Sequence, residues 1–268
     1  MHLCGTVAAG ETCINEMGID TNANFVSAIE LLRERVPSFD TYPFSLAAIR
    51  SLHILPLHPS VTFLVGENGS GKSTLLEGLA VGLGLNPEGG SKNLTFETRA
   101  THSRLADYLR VRRTHKKPND HWFLRAESFY NVATALEEVG QKGYGDKLLH
   151  DQSHGESFFS LFSNRFSGKG VYLLDEPEAA LSPNRQLAFL CILNDLVNRG
   201  SQFVIATHSP IILAFPKSWI YVLGGNEITR TAYEDTEHYR ITRGFLSNPK
   251  SSLAEMFDDA GGTLFDRD

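Results

Sequence analysis

The sequence predicts an α/β layered fold: a central, mostly parallel sheet flanked by helices, plus a smaller antiparallel β part. Three observations carry this. Short apolar runs of strand length recur at VTFLV (Val61–Val65), VYLLD (Val171–Asp175) and FVIAT (Phe203–Thr207). Segments with helical periodicity alternate with them, as expected when helices cover both faces of a parallel sheet. Two further β-rich stretches have the shape of antiparallel pairs.

Taken in order, residues 1–24 show no clear period and form a poorly defined N-terminal segment. Phe25 to Val36 reads as a short helix, with Ile29, Leu32 and Val36 on one face, ended by Pro37. Phe44 to Leu57 reads as one or two strands. VTFLV is a buried strand stopped by GENGSGKS, and STLLEGLAVGLGL is a helix closed by Asn86-Pro87 and Gly89-Gly90. YLRVRR and HWFLRAE flank the turn-like THKKPND and predict a β-hairpin. A helix is expected from Asn131 to Val139, then a loop from Gly140 to Asp151. QSHGESFFSLF is a capped helix start whose Ser-x-x-Glu pattern is a capping box. VYLLD is the second buried strand, NRQLAFLCILNDLVNRG an amphipathic helix stopped by Gly200, and FVIAT the third strand. WIYVL and EITRTAY form a final β-pair before a polar, partly helical tail. No Pro/Ser linker splits residues 25–268, which are expected to form a single domain.

Composition narrows the setting. The 268 residues are 41% apolar and 21% charged, ordinary for a globular chain, and the net charge of -6 gives no bulk attraction to nucleic acid or anionic membrane. Cys4, Cys13 and Cys191 fit no zinc spacing, and their odd number argues against a disulfide framework. A reducing, cytoplasmic location is expected. No apolar run approaches the roughly 18 residues of a membrane span, and the N-terminus lacks the pattern of a signal peptide.

Three motifs carry chemistry. Gly66-Glu67-Asn68-Gly69-Ser70-Gly71-Lys72-Ser73 matches G-x-x-x-x-G-K-[ST] in full, with a strand before it and a helix after it. Glycines let backbone N–H groups curl around phosphate oxygens, and a helix N-terminus adds positive potential. Lys72 is expected to reach the β- and γ-phosphates, Ser73 to ligate Mg²⁺, and Thr74 to add a phosphate contact. Asp175 and Glu176 end a buried strand, where ligand sites of α/β sheets lie. Asp175 is the candidate Mg²⁺ holder and Glu176 the group that orients the attacking water. His208, just past the third strand, is placed to hydrogen-bond the γ-phosphate. GTP would call for an Asn/Thr-Lys-x-Asp base-reading motif, which the sequence lacks, so ATP is the expected nucleotide.

GENGSGKST, DEPEAALSP and ATHSP, in this order, resemble the ABC-type P-loop ATPases, and in particular the soluble branch with RecF- and SMC-like proteins and bacterial AAA-family ATPases. The similarity spans about Val61 to Pro210. It implies a Mg²⁺-dependent ATPase acting as a head-to-tail, ATP-dependent homodimer. It also implies that Ser153-His154-Gly155-Glu156 is the signature loop, with Ser153 and Gly155 reaching the γ-phosphate held by the other copy. Ser153 lies 22 residues before Asp175; His154 and Glu156 depart from the usual Ser-Gly-Gly-Gln. Ser182 stands where the family has an aspartate. Glu127 is the candidate for the Q-loop role, with Arg125 as the alternative. Phe39 and Tyr42 precede the first strands, where a base-stacking aromatic often lies, but core packing is the expected role for both. The basic run Arg110, Arg112, Arg113, His115, Lys116 and Lys117 is expected to be a solvated face, with nucleic-acid contact the alternative. A binding switch with little turnover is the remaining alternative. The spacing between Gly66 and Ser153 leaves no room for long coiled-coil arms.

Overall fold

The computed structural model describes residues 25–90, 103–126, 162, 166–225 and 227–258. Its strands are β1 (Val26–Leu31), β2 (Ile54–Pro56), β3 (Val61–Val65), β4 (Leu109–Arg113), β5 (Asp120–Arg125), β6 (Gly170–Asp175), β7 (Gln202–Ala206), β8 (Ser218–Gly224) and β9 (Glu227–Thr231). Its α-helices are α1 (Ala47–Ser51), α2 (Lys72–Gly82), α3 (Pro183–Asn198), α4 (Pro210–Leu213), α5 (Glu237–Ser247) and α6 (Pro249–Asp258).

Six strands form the central sheet in the order β5-β6-β7-β3-β8-β9, and only β9 runs antiparallel to its neighbour. Side chains alternate across it. Phe63, Tyr172, Leu174, Phe203 and Ile205 enter one core with Phe189, Leu193 and Leu196 of α3. Leu64, Phe123, Leu173 and Val204 enter the other with Leu75, Leu76 and Leu79 of α2. Burial on both faces explains why these strands read as continuous apolar runs.

The smaller sheet, in order β2-β1-β4, is antiparallel and lies over the second core. It corrects two expectations. Phe25 to Val36 is not a helix: Val26–Leu31 is a strand held between two others, and only Arg33–Arg35 makes a helical turn, of the 3₁₀ type. The helical spacing of Ile29, Leu32 and Val36 gives way to pairing on both edges, a tertiary effect that overrides local pattern. Nor do YLRVRR and HWFLRAE pair as a hairpin. β4 pairs with β1, β5 pairs with β6, and the THKKPND turn crosses between the two sheets. Phe44 to Leu57 contributes one strand, β2, and the short helix α1. The helix expected at Asn131 to Val139 lies outside the described residues.

A buried glutamine fastens the two sheets. Gln202 accepts from the N–H groups of Phe25 (3.2 Å) and Val26 (2.9 Å) and donates to Val26 O (2.7 Å) and His58 O (3.0 Å). Its amide is thereby satisfied without water, as burial of a polar group demands. On the outer layer, Glu30 receives Arg112 at 2.9 Å and Arg110 at 3.4 Å across the strand pair, and the Arg112 hydrogen bond holds its carboxyl below the ordinary value. Two residues of the basic run therefore share one carboxylate, which offsets part of their charge. Among the described residues, no helix is long and apolar enough to cross a membrane.

Candidate functional site

The loop between β3 and α2 follows from its glycines. Gly66 has φ +150°, and a Cβ there would lie 2.2 Å from the Leu223 carbonyl oxygen of β8. Only glycine permits that approach. Gly71, at φ +101°, caps α2, so the helix opens directly with Lys72, Ser73 and Thr74. The first-turn N–H groups of a helix have no acceptors within it, which makes this end a natural seat for an anion.

Lys72 is 4% exposed, and its ammonium donates to the carbonyls of Gly66 (2.8 Å) and Glu67 (3.0 Å). Burial lowers its pKa, while the carboxylates of Glu176, Asp175 and Glu178 act the other way. Asp175 ends β6 and is 6% exposed. Its Oδ1 accepts from Ser73 Oγ at 3.0 Å, and Arg125 Nε stands 3.6 Å from Oδ2. Arg125 is directly opposite Asp175 in the β5/β6 register and also pairs with Glu77 at 3.3 Å. It thus faces the site as the strand alternation allows; Glu127 lies outside the described residues.

Glu176 adopts φ 51°, ψ 52°, a left-handed conformation that is costly for a residue with a side chain. Its N–H donates to Ala206 O (2.9 Å) at the end of β7, which fixes the turn against the neighbouring strand. The turn leaves the Glu176 carboxylate partly exposed, with Oε1 3.7 Å from His208 Nε2.

Two further residues complete this end of the sheet: Glu178, inside the DEPE stretch but assigned no role from the sequence, and His238, outside any motif. Glu178 accepts from Thr207 Oγ1 (2.7 Å) and from the His208 N–H (2.5 Å), clamping the turn after β6 to the loop after β7. Burial raises its carboxyl pKa against the lowering effect of those hydrogen bonds. His238, on α5, places Nε2 3.2 Å from His208 Nδ1. The pKa of His208 is lowered by burial first and by the Lys72 charge second, with Glu176 opposing. Glu178 is signalled by its place in DEPE, whereas His238 lies in EDTEHYRITRG, which carries no pattern.

Two clefts flank the loop. The larger, about 520 Å³, is lined by Gly66, Glu67 and Ser70 on one side and Gly224, Gly225 and Glu237 on the other. It touches none of Lys72, Ser73, Asp175 or Glu176. The smaller, about 440 Å³, is lined by Asn68, Gly69, Lys72, Ser73 and Thr74 of the loop and helix, with Tyr42 and Glu176. The chemistry converges in the smaller. Tyr42 is a correction: it is 65% exposed rather than packed in the core, and its hydroxyl lies 3.4 Å from Thr74 Oγ1. Phe39 does pack as expected, against Phe44 and under the Arg33 guanidinium.

A family model described as "AAA domain" matches residues 44–159, and one described as "AAA domain, putative AbiEii toxin, Type IV TA system" matches residues 128–214. The cytochrome c biogenesis ATP-binding export protein CcmA of Paracoccus denitrificans is 32% identical over 164 residues, which cover 60% of this chain and 74% of that protein. The chain belongs to the ABC-type P-loop ATPases. The energy-coupling factor transporter ATP-binding protein EcfA of Methanosphaera stadtmanae is 27% identical over 210 residues, 71% of this chain and 75% of that protein. An SMC head domain structure from Thermotoga maritima aligns with 66% of this chain and 92% of that one, at 16% identity and a TM-score of 0.39.

Within this ABC-type ATPase the described residues bring together Gly66, Gly69, Ser70, Gly71, Lys72, Ser73, Asp175, Glu176 and His208 at one end of the sheet. Ser153 and Gly155 lie outside the described residues. Ser182 is the N-cap residue of α3, with no side-chain capping bond. The oxygen donors Ser73 Oγ and Asp175 Oδ1, already 3.0 Å apart, fit Mg²⁺, which is held by one or two protein oxygens together with phosphate and water. Among the described residues, no group of three His, Cys, Asp or Glu side chains forms a metal site independent of nucleotide.

Proposed function

We propose that this chain hydrolyses Mg²⁺-ATP at the carboxyl end of β3, β6 and β7, and that two copies close head-to-tail around the nucleotide. The carrying observation is the Ser73–Asp175 hydrogen bond at 3.0 Å, with the Lys72 ammonium folded on the same loop and His208 and Glu176 facing one another beside it. Backbone N–H groups of the loop and the first turn of α2 bind the phosphates. Lys72 exchanges its two carbonyl partners for β- and γ-phosphate oxygens. Ser73 and Asp175 hold Mg²⁺, which supplies charge neutralisation of the phosphate oxygens when bound. Glu176 orients the attacking water, and its partly exposed carboxylate beside the phosphate loop supports that role. His208 donates to the γ-phosphate. Tyr42 stands where an adenine ring would stack, since it projects into the same cleft with an exposed face.

Ser153 and Gly155 of the second copy complete the site in this reading, and residues 25–268 act as one ATPase unit in the cytoplasm. Arg110 and Arg112 are partly offset by the Glu30 carboxylate they share, and the nucleic-acid reading is not adopted.

Steady-state hydrolysis tests the first half of the proposal. Lys72→Ala should lower kcat/KM by at least about 100-fold, the scale of removing a positioned charge from a phosphoryl-transfer site. A change below threefold would sink the assignment of Lys72. Light scattering of Glu176→Gln with and without ATP tests the second half. A mass that doubles with ATP, and fails to double when Ser153 is also replaced by Arg, is the expected result; a monomer in both conditions rejects the dimer.

A further inference from the structure

The His208 side chain is held on one side only. Its Nδ1 lies 3.2 Å from Nε2 of His238, and the two rings are tilted by 45° with centroids 5.3 Å apart. Its other nitrogen, Nε2, is buried, makes no hydrogen bond among the described residues, and stands 3.7 Å from Glu176 Oε1. His238 is itself anchored. Thr236, 1% exposed, caps α5 by accepting from the Tyr239 N–H at 3.3 Å, and its hydroxyl donates to Tyr233 O at 2.7 Å. The Tyr233 hydroxyl in turn donates to Pro210 O at 2.8 Å, at the start of α4 and two residues past His208. The segment that starts α5 and the histidine loop are thus tied together at two points.

A single N···N hydrogen bond between imidazoles requires one donor and one acceptor, and which nitrogen carries the proton is set by the partner of the other. Burial and the nearby Lys72 charge favour the neutral form of both rings. Two arrangements remain. Either His208 donates from Nδ1 and leaves a lone pair on Nε2, or His238 donates and His208 keeps its proton on Nε2. A lone pair on Nε2 would face the Glu176 carboxylate and be repelled, whereas an N–H is attracted. Phosphate oxygens, as anionic acceptors, make the same demand.

We propose that His238 is a positioning residue: its Nε2–H donates to His208 Nδ1 and fixes His208 as the Nε2–H tautomer, so that His208 presents a donor to the γ-phosphate. This rests on the reading of His208 as the phosphate-facing histidine. Loss of the donor would allow His208 to rotate or take the wrong tautomer, the fault that costs orienting-residue variants of other histidine sites their rate.

The test uses the full chain labelled with ¹⁵N-histidine, with His208 assigned by the signal lost in His208→Gln. Wild type should show a protonated Nε2 and an unprotonated Nδ1 at His208. His238→Phe keeps a ring but no donor, and should shift His208 toward the Nδ1–H form. It should lower kcat about tenfold, with KM within about twofold. His238→Gln, whose amide can donate, should restore the tautomer and most of kcat. A wild-type His208 protonated on Nδ1, an unchanged tautomer in His238→Phe, or equal losses in the Phe and Gln variants would overturn the proposal. Should His208→Gln hydrolyse ATP at the wild-type rate, the phosphate-facing role of His208 falls. The tautomer comparison, which needs no turnover, still decides the relation between the two histidines. A His238→Phe chain that fails to fold leaves the decision to His238→Gln, which must then retain the Nε2–H form.

Discussion

At the carboxyl end of the parallel strands, Lys72, Asp175, Glu178 and His208 are largely desolvated and each is partnered within the protein, whereas at the amino end His115, Lys116 and Lys117 stand in solvent around the turn into β5. Both ends are rich in charge. They differ in what surrounds it. At the carboxyl end, glycines at positive φ and a left-handed glutamate bring backbone and side chains from β3, β6 and β7 within hydrogen-bond reach. At the amino end, a short crossing between two sheets leaves the long cationic side chains pointing outward. Charge contributes most where it is desolvated and partnered, and least where water screens it. The difference teaches where to look for chemistry in this molecule: at the packed charges, although the chain has more exposed ones.

The comparison can be broken at several points. Glu178→Ala should have the largest effect on folding. It strips the acceptor from the Thr207 hydroxyl, in a residue that is fully buried, and from the His208 N–H. Leaving such groups unpaired costs about 2–3 kcal/mol, read by denaturant unfolding, and turnover should fall about tenfold as His208 loses its backbone anchor. Unfolding curves that superimpose on wild type would show that the clamp is dispensable.

A smaller effect is expected from pH. The folded-state pKa values of His208 and His238 both lie below the ordinary 6.5. The unfolded chain therefore takes up protons first as pH falls. The stability linked to these rings is complete above about pH 6.5 and is lost as pH drops through the depressed folded values. Unfolding midpoints followed from pH 8 toward pH 5 should fall on the acid side, and replacing both histidines by Gln should flatten that part of the slope. A slope unchanged by the double substitution would assign it elsewhere.

The smallest effect belongs to the amino end. Lys116→Glu combined with Lys117→Glu should change stability by no more than about 0.5 kcal/mol and leave ATP turnover as it was. A loss of turnover would mean that these solvated charges take part in the cycle.

The two ends also differ in how much the sequence revealed. The phosphate loop is contiguous, and its strand–loop–helix context is local, so Gly66 to Thr74 could be placed without tertiary information. DEPE and ATHSP sit at the ends of apolar runs, and the parallel sheet brings such ends together by construction. His238 was not legible, since its contact with His208 spans 30 residues and depends on how α5 docks. Tyr42 departs from core packing for the same reason: nothing in FDTYPFS distinguishes a ring that packs inward from one left beside Thr74. The residues of β1 carry a helical pattern, since Ile29, Leu32 and Val36 share a helical face, and only pairing with β2 and β4 decides otherwise. The supposed hairpin failed likewise, as two adjacent strands and a turn do not say which sheet each strand joins.

The measurement that bears most directly on the account is ATP binding and single-turnover hydrolysis by Glu176→Gln beside wild type. Gln keeps the size of the side chain and removes the carboxylate next to His208 and Lys72. Hydrolysis should slow by about 100-fold or more, while ATP affinity stays within a few-fold of wild type. A Glu176→Gln protein that hydrolyses ATP as fast as wild type would contradict the assignment of the packed carboxyl end as the catalytic centre.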